Sequence, residues 1–399
     1  MPKLYLFNPE NDLALADGGK SYTPPPLARA IAHDLSTLPV WYAGDGDAVC
    51  LPSLQFARPL EPFLDKLGIG RRFCVPHALP SDISACLPWG WSPEAAQRLL
   101  RYGAPAHALP TGEMLARQRW WAHRIRTREL LTYLRDRSVD VPDELPTLFS
   151  REEEVARFVT RHERAMLKAP WSGSGKGLCF TRGDYDLVTR RWVQGVLRRQ
   201  GEVVGEPFFD RAVDMAMEFY SDGNAVTFAG YSWFVTDARG AYKGNYLLPD
   251  AEIERRLSAY LHLGDVRRLR EQLEIFFTRH VATVYRGYFG VDMMIYRRVG
   301  AWALHPCVEI NLRMSMGMVS RLFHDRYVAE GSEGVYRVEY FSDPERLLSD
   351  HCHRQAVAPL QYAGTRIESG YLSLNPIYPD TRYRASVEIH RASAGETGL

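Results

Sequence analysis

Two short stretches carry residue types whose spacing could do chemistry. The first is "LKAPWSGSGKGLCF", residues 167–180, with Lys168 and Lys176 bracketing Ser172, Gly173, Ser174 and Gly175. Glycines at every second position let successive backbone N–H groups turn toward an anion, and the lysines supply charge for it. The loop is not of the GxxxxGK[ST] type. Pro170 stands where the first glycine should be, Gly177 follows the lysine in place of Ser or Thr, and the next predicted element is a strand. Taken alone the segment reads either as a phosphate-covering loop or as a flexible hairpin turn.

The second stretch is "GVDMMIYRRVGAWALHPCVEINLR". Its pattern predicts two strands around a turn centred between Gly300 and Ala301, which sets Asp292 opposite Glu309. Glu309 and Asn311, two apart, share a face. Opposed side chains have Cβ atoms roughly 5 Å apart, so the two carboxylates repel unless a cation or proton intervenes. Three hard oxygen donors suit magnesium completed by phosphate oxygens. The plain alternative is an exposed edge pair. "HCH" at His351–His353 is a weaker metal candidate, because neighbouring side chains point apart.

The elements that must position these residues follow from periodicity. "KLYLF" (3–7) and "VWYAG" (40–44) read as strands of a parallel α/β layer, with a helix over "LARAIAHDL". The intervening loop, with Asn8, Glu10, Asn11 and Asp12, would lie at a strand's carboxyl end, where such sheets bind ligands; it reads equally as a helix-capping turn. Residues 113–137 read as one long amphipathic helix. Ser150 and Glu153 stand at capping-box spacing, and Asp184 is placed to cap the helix over 184–200. Residues 150–206 then read helix–strand–loop–strand–helix–strand. The expected organisation is an α/β domain over 1–112, a linker helix and small α+β unit over 113–206, a unit holding the hairpin over 207–345, and an extension with strands over 346–399.

Composition excludes little but agrees. The 399 residues suggest more than one domain. With 49 Lys plus Arg against 48 Asp plus Glu, there is no electrostatic case for a nucleic acid or an anionic membrane. No apolar run reaches the length of a membrane span, and no signal-peptide pattern opens the chain. The six cysteines are scattered without a CxxC pair, which reads as a reduced, cytoplasmic protein.

A lysine-bearing strand, a Gly/Ser-rich loop, a hinge strand and a D…ExNxR hairpin occur in the order seen in the ATP-grasp superfamily, and residues 115–325 resemble it. The resemblance implies an ATP-grasp fold, α/β and α+β, with a Rossmann-like N-terminal pre-domain. It implies ATP and magnesium, two ions in all, as cofactors. Lys168 would contact the nucleotide, and Ser172, Gly173, Ser174, Gly175 and Lys176 would cover the β- and γ-phosphates. Glu206 would bind the adenine amino group, with Phe208 and Phe209 as hinge residues and Asp214 on the ribose. Asp292, Glu309 and Asn311 would hold magnesium. Arg313 would face an acyl phosphate, and Lys243 would be a further phosphate-side cation. Two departures stand out. An early lysine is replaced by Arg128 or Arg126, and Gly290 occupies a position where some members carry arginine. The activity implied is ATP-dependent joining of a small-molecule or peptide carboxylate to an amine. A nucleotide-binding module without ligation, or a small-molecule kinase, are the alternatives.

Overall fold

The computed structural model describes residues 2–173, 177–236 and 242–392. Three sheets organise it. The first is parallel, in the order β3-β2-β1-β4, from β1 (Lys3–Leu6), β2 (Ala48–Cys50), β3 (Arg72–Cys74) and β4 (Ala85–Pro88). Helices α1 (Asn11–Asp17), α2 (Pro26–Asp34), α3 (Glu61–Leu67) and α4 (Pro93–Tyr102) connect its strands or follow them. β1 has β2 on one side and β4 on the other. The direction of winding therefore reverses there, which opens a crevice at the carboxyl ends of β1 and β4. Two loops meet in it: Asn8 Nδ2 donates to Gly90 O (2.8 Å), and Gly90 N donates back to Asn8 Oδ1 (3.3 Å).

The strand expected over 40–44 is absent. Leu38–Trp41 forms a 3-10 turn, and the strand is Ala48–Cys50. Val40, Trp41, Tyr42 and Ala43 are all buried, and a short run apolar on every side does not distinguish a strand from a buried turn. Pro39 at the start of the run favours the turn.

The helix expected over 113–137 is broken. It becomes α5 (Gly112–Trp121), a 3-10 turn (Arg124–Arg126) and α6 (Thr127–Arg135). His123 is extended, with ψ 128°, and its ring nitrogen accepts from Ile125 N. Arg124 N is thereby freed to donate to Pro170 O (3.1 Å).

The second sheet is antiparallel, in the order β5-β8-β6-β7. It contains β5 (Thr147–Phe149), β6 (Ala165–Lys168), β7 (Leu178–Thr181) and β8 (Val203–Pro207), and it packs on α7 (Glu152–Arg161) and α8 (Leu187–Gln200). Its order of elements is the one expected, but its caps differ. α7 begins after Arg151 with no side-chain cap, and the cap of α8 is Asp186 in place of Asp184, accepting from Thr189 N.

The third sheet runs β13-β12-β9-β10-β11-β14-β17-β16-β15. It comprises β9 (Arg211–Ser221), β10 (Val226–Thr236), β11 (Tyr242–Leu247), β12 (Gly287–Arg298), β13 (Ala301–Asn311), β14 (Ser332–Tyr340), β15 (Gln361–Ala363), β16 (Arg366–Ser373) and β17 (Tyr383–Arg391). Strands of the expected C-terminal extension thus continue this sheet through β14. The sheet's helices are α9 (Asp250–Leu257), α10 (Leu263–His280), α11 (Met316–Tyr327) and α12 (Pro344–Val357).

Alternation along β9 and β12 separates structure from chemistry. Met215, Met217, Phe219, Phe289, Val291, Met293 and Ile295 are essentially fully buried. Phe219 and Phe289 meet Phe277 of α10 with ring centroids 5.7 and 5.0 Å apart. Burying each such ring contributes up to about 3 kcal/mol. The opposite parity, Asp214, Glu218, Gly290 and Asp292, faces the other way.

Candidate functional site

Asp292 pairs directly with Glu309, and Gly290 with Asn311. The expected pairing holds, but for a different reason. The turn is the two-residue Val299–Gly300, with φ of 38° and 80°, so Arg298 faces Ala301. Continued regularly, that register would set Asp292 opposite Cys307. A bulge between Met294 and Asp292 shifts it by two, and Pro306, which has no N–H to donate, sits inside the bulge.

Burial and the charge of Glu309 push the Asp292 carboxyl up to about 7, although Asn311 hydrogen-bonds to it and Arg313 opposes the shift. Beside it on β9, Glu218 pairs across to Gly290 and is buried. Burial, and then Asp292, push its carboxyl up to about 8. Ser315 Oγ donates to Glu218 Oε1 (3.0 Å), while Oε2 has no hydrogen-bond partner among the described residues. A Cβ on Gly290 would stand 2.6 Å from Glu218 Oε2, and one on Gly317 2.6 Å from Oε1. Gly290, the departure noted in the sequence, is therefore the residue that leaves room for this carboxylate. The parity of β9 gives the signal that Asp214 and Glu218 share a face; nothing in the sequence marked Glu218 further.

Both acids have folded-state values above their ordinary ones of 3.8 and 4.5. A group so raised contributes its stability fully below its ordinary value and loses it as pH climbs through the folded value. The ligand-free protein should accordingly melt at falling temperature between about pH 4 and pH 8. The limiting slope is about 1.4 kcal/mol per pH unit for each proton. Thermal melts across that range check this, and Glu218→Gln should flatten the upper half of the profile.

The Asp292–Glu309 pair is chemically suited to a divalent cation. Among the described residues no three His, Cys, Asp or Glu side chains gather to hold a metal by themselves, so "HCH" within α12 forms no such site. Two carboxylates with the Asn311 amide oxygen make a partial oxygen shell of the sort magnesium completes with water and phosphate.

Across the cleft, Lys168 Nζ lies 2.5 Å from Glu206 Oε1, both side chains buried, and donates to Val308 O (3.4 Å). Lys168 thereby ties the small sheet to β13. Phe209 packs edge-on against Tyr296 (4.8 Å) and His305 (5.0 Å). Burial, then Lys168, push the His305 imidazole down to about 3, so it stays neutral. Phe208 meets Phe180 (4.7 Å), and its N–H donates to Arg164 O (3.1 Å). Asp214 lies 2.9 Å from Arg211 and raises the Asp292 carboxyl. Lys168 and Glu206 are thus held against β13, and Asp214 lies near Asp292 on the neighbouring strand. Lys243 is exposed on β11, with β10 standing between it and Asp214. Ser174, Gly175 and Lys176 lie outside the described residues.

Arg128 is turned away, donating to Pro146 O (3.0 Å), and Arg126 pairs with Glu129 and stacks on Trp120. The arginine that reaches the site is Arg124, which sequence reasoning missed. Arg124 Nη1 donates to Ser172 Oγ (2.6 Å) and Ala169 O (3.1 Å). Its Nη2 donates to Ser172 O (3.0 Å) and to both oxygens of Glu309 (3.1 Å each). The helix break at His123 delivers it, and a continuous helix over 113–137 would not.

Arg313 is also engaged. Its Nε lies 2.9 and 3.1 Å from the two oxygens of Asp12, and its Nη2 2.8 Å from Oδ2. Burial disfavours the charge of Arg313, but Asp12 foremost, then Glu309 and Asp292, raise its pKa. Asp12, Ser172, Glu309, Asn311 and Arg313 line one cleft of about 10 Å³, room for no more than one water molecule. A larger cavity of about 140 Å³ lies past Met314, among Tyr5, Tyr42, Tyr220 and Tyr288, and touches none of the expected site residues.

Neither a protein-family model nor a curated protein matches the sequence. Solved structures do match its fold. N5-carboxyaminoimidazole synthetase from Staphylococcus aureus, complexed with ADP, aligns over 98% of this chain and 93% of its own, at 11% identity and a TM-score of 0.52. Biotin carboxylase from Campylobacter jejuni aligns over 98% and 88%, at 10% identity and 0.52. The biotin carboxylase domain of Hydrogenobacter thermophilus 2-oxoglutarate carboxylase, with MgADP and bicarbonate, aligns over 98% and 86%, at 12% identity and 0.50. The chain has the ATP-grasp fold. Among the described residues no helix is long and apolar enough to cross a membrane.

Proposed function

We propose that this protein is a magnesium-dependent ligase that joins a carboxylate to an amine at the expense of ATP, releasing ADP and phosphate. One observation carries the reading. The opposed Asp292–Glu309 pair stands next to Lys168, whose ammonium meets Glu206 and the Val308 carbonyl, and Glu309, Asn311 and Arg313 share one cleft with Ser172. Neighbours of the same fold hold ADP, or MgADP with bicarbonate.

Asp292, Glu309 and Asn311 would hold magnesium, two ions in our reading, which supplies charge neutralisation at the phosphates. Lys168, and Lys243 from β11, would add positive charge on the phosphate side. Glu206, Phe208 and Phe209 would seat the base, and Asp214 the ribose. The substrate carboxylate attacks the γ-phosphate to give an acyl phosphate, and the amine then displaces phosphate. Arg313 would stabilise the oxyanion of that second step; a single such donor is worth about 3 kcal/mol of barrier. Water must be kept from the acyl phosphate, which gives Ser172 and Gly173 a covering role. The substrates in this reading are a small-molecule or peptide carboxylate and an amine, and the six free cysteines suit a cytoplasmic setting.

The test is direct. Purified protein with MgATP, pooled small carboxylic acids and hydroxylamine should release ADP and form a hydroxamate. Carboxylate-independent ADP release, or none, would overturn the ligase reading. A second reading is favoured by the engagement of Arg313 with Asp12 and of Glu309 with Arg124. A nucleotide-binding module would keep those contacts and be stabilised by MgATP without turnover. A phosphorylated product with no amide would point to a kinase.

A further inference from the structure

The N-terminal domain brings a carboxylate to the cleft, and neither the metal nor the nucleotide has a use for it. Asp12 lies beside Arg313, Asn311 and Ser172. It is carried there by a rigid frame. Asn8 is bonded to Gly90 in both directions. The Asn11 amide, in its satisfied orientation, donates to Gly90 O (3.0 Å) and Trp91 O (3.1 Å). Glu10 pairs with Arg98 (2.7 Å). The segment bearing Arg313 is fastened to the same loop, since Met314 N donates to Trp89 O (2.8 Å). Asp12 would hold its place if Arg313 moved.

The chain of the glycine loop also passes over it. A Cβ on residue 173 would stand 2.5 Å from Asp12 Oδ2, so a glycine lets the loop and the carboxylate approach this closely. Three parts of the molecule therefore converge on Asp12: the crevice of the parallel sheet, the glycine loop, and the arginine past the metal pair. Its side chain is still about 18% exposed through the cleft.

We propose that Asp12 is the residue that receives the amine. The inference rests on the ligase reading above. An amine enters at neutral pH as ammonium and cannot attack until it loses a proton. Of the two carboxylates lining the cleft, Glu309 belongs to the metal pair, which leaves Asp12. Asp12 binds the ammonium and takes one proton. The freed nitrogen lone pair forms the C–N bond at the acyl carbon, and the C–O bond to phosphate breaks. The second nitrogen proton leaves with the phosphate as HPO4²⁻, and Asp12 gives its proton to solvent. The balance is acyl phosphate plus ammonium to amide, HPO4²⁻ and one proton. Arg313, alongside, is left to face the oxyanion.

Hydroxylamine separates this role from a structural one, because it is largely uncharged at neutral pH and needs no base. With the carboxylate found in the pooled assay and pooled amino acids as amines, Asp12→Asn should retain at least about 30-fold more of its hydroxamate formation than of its amine-dependent turnover. Its amine-dependent turnover should fall at least about 100-fold and recover as pH rises toward the amine's own pKa. Asp12→Glu, which keeps the charge, should retain amine-dependent turnover within about tenfold and guards against a folding defect in the first variant. If hydroxamate and amide formation fall together, Asp12 only orients Arg313 and the proposal fails. Unchanged or faster amine turnover in Asp12→Asn would make Asp12 a displaceable counter-ion and also overturn it. Wild-type protein that forms no hydroxamate with any carboxylate removes the ligase reading itself.

Discussion

Converting Asp292 to Asn together with Glu309 to Gln should lower MgATP-dependent turnover by on the order of 10³-fold or more and abolish the rise in melting temperature produced by MgADP. The size follows from what the pair would do. It would fix the cation that offsets charge on the transferred phosphoryl group, and losing even one preorganised electrostatic partner costs 10²–10³ in rate. Two opposing effects act on the ligand-free stability. Asp292 and Glu309 stand directly opposite each other and Asp292 is buried, so its charged form is disfavoured. Neutral amides of nearly the same shape remove that repulsion. At pH 8 that gain is opposed by the loss of the Arg124–Glu309 ion pair, which leaves a buried guanidinium without its carboxylate, so the ligand-free double variant should melt somewhat below wild type. Calorimetry at pH 8 with and without MgADP separates the effects. A nucleotide-induced shift that survives in the double variant would show that these carboxylates do not hold the ion.

Arg124→Met should give the second large effect. The guanidinium is buried and joins Ala169, Ser172 and Glu309. Methionine fills the stem but donates nothing. It leaves Glu309, about a fifth exposed, without its partner. Breaking a fully buried pair costs 3–5 kcal/mol; the partial exposure of Glu309 brings the expectation to about 2–4 kcal/mol. The melting midpoint should fall by about 2–5 °C. The same change removes a cation already resting on Glu309, a magnesium ligand in the proposed reading. Less magnesium should then be needed to half-saturate the ADP-bound protein, and the MgADP-induced shift should be larger than in wild type. A magnesium titration of melting temperature at fixed ADP measures both. If the shift vanishes, Arg124 acts on the phosphates and does not compete at Glu309.

Much of the site was legible because it is local. The two-residue period of a strand sets Glu309 and Asn311 on one face, and a hairpin brings Asp292 across from residues close in sequence. The alternation of glycines around 173–177 and the lysine at the end of β6 are patterns of the same short range. What was missed depends on contacts distant in sequence. Arg124 was hidden because helical periodicity runs unbroken through 113–137, whereas the break depends on His123 capping Ile125 and on Arg124 N meeting Pro170 O. The hairpin pairing emerged as expected only because a bulge at Pro306 offset a turn placed one residue too late. Glu218 was unmarked because what distinguishes it is burial beneath Ser315 and Gly317.

By itself the sequence determined the order of elements in the small sheet, the β12–β13 hairpin and the shared face of Glu309 and Asn311, since side-chain parity is a property of the strand alone. Only the tertiary structure decided that Asp12 meets Arg313, 301 residues apart, and that Arg124 joins Ser172 to Glu309. Such pairs form because packing three sheets together removes water from opposite charges that no local pattern had placed side by side.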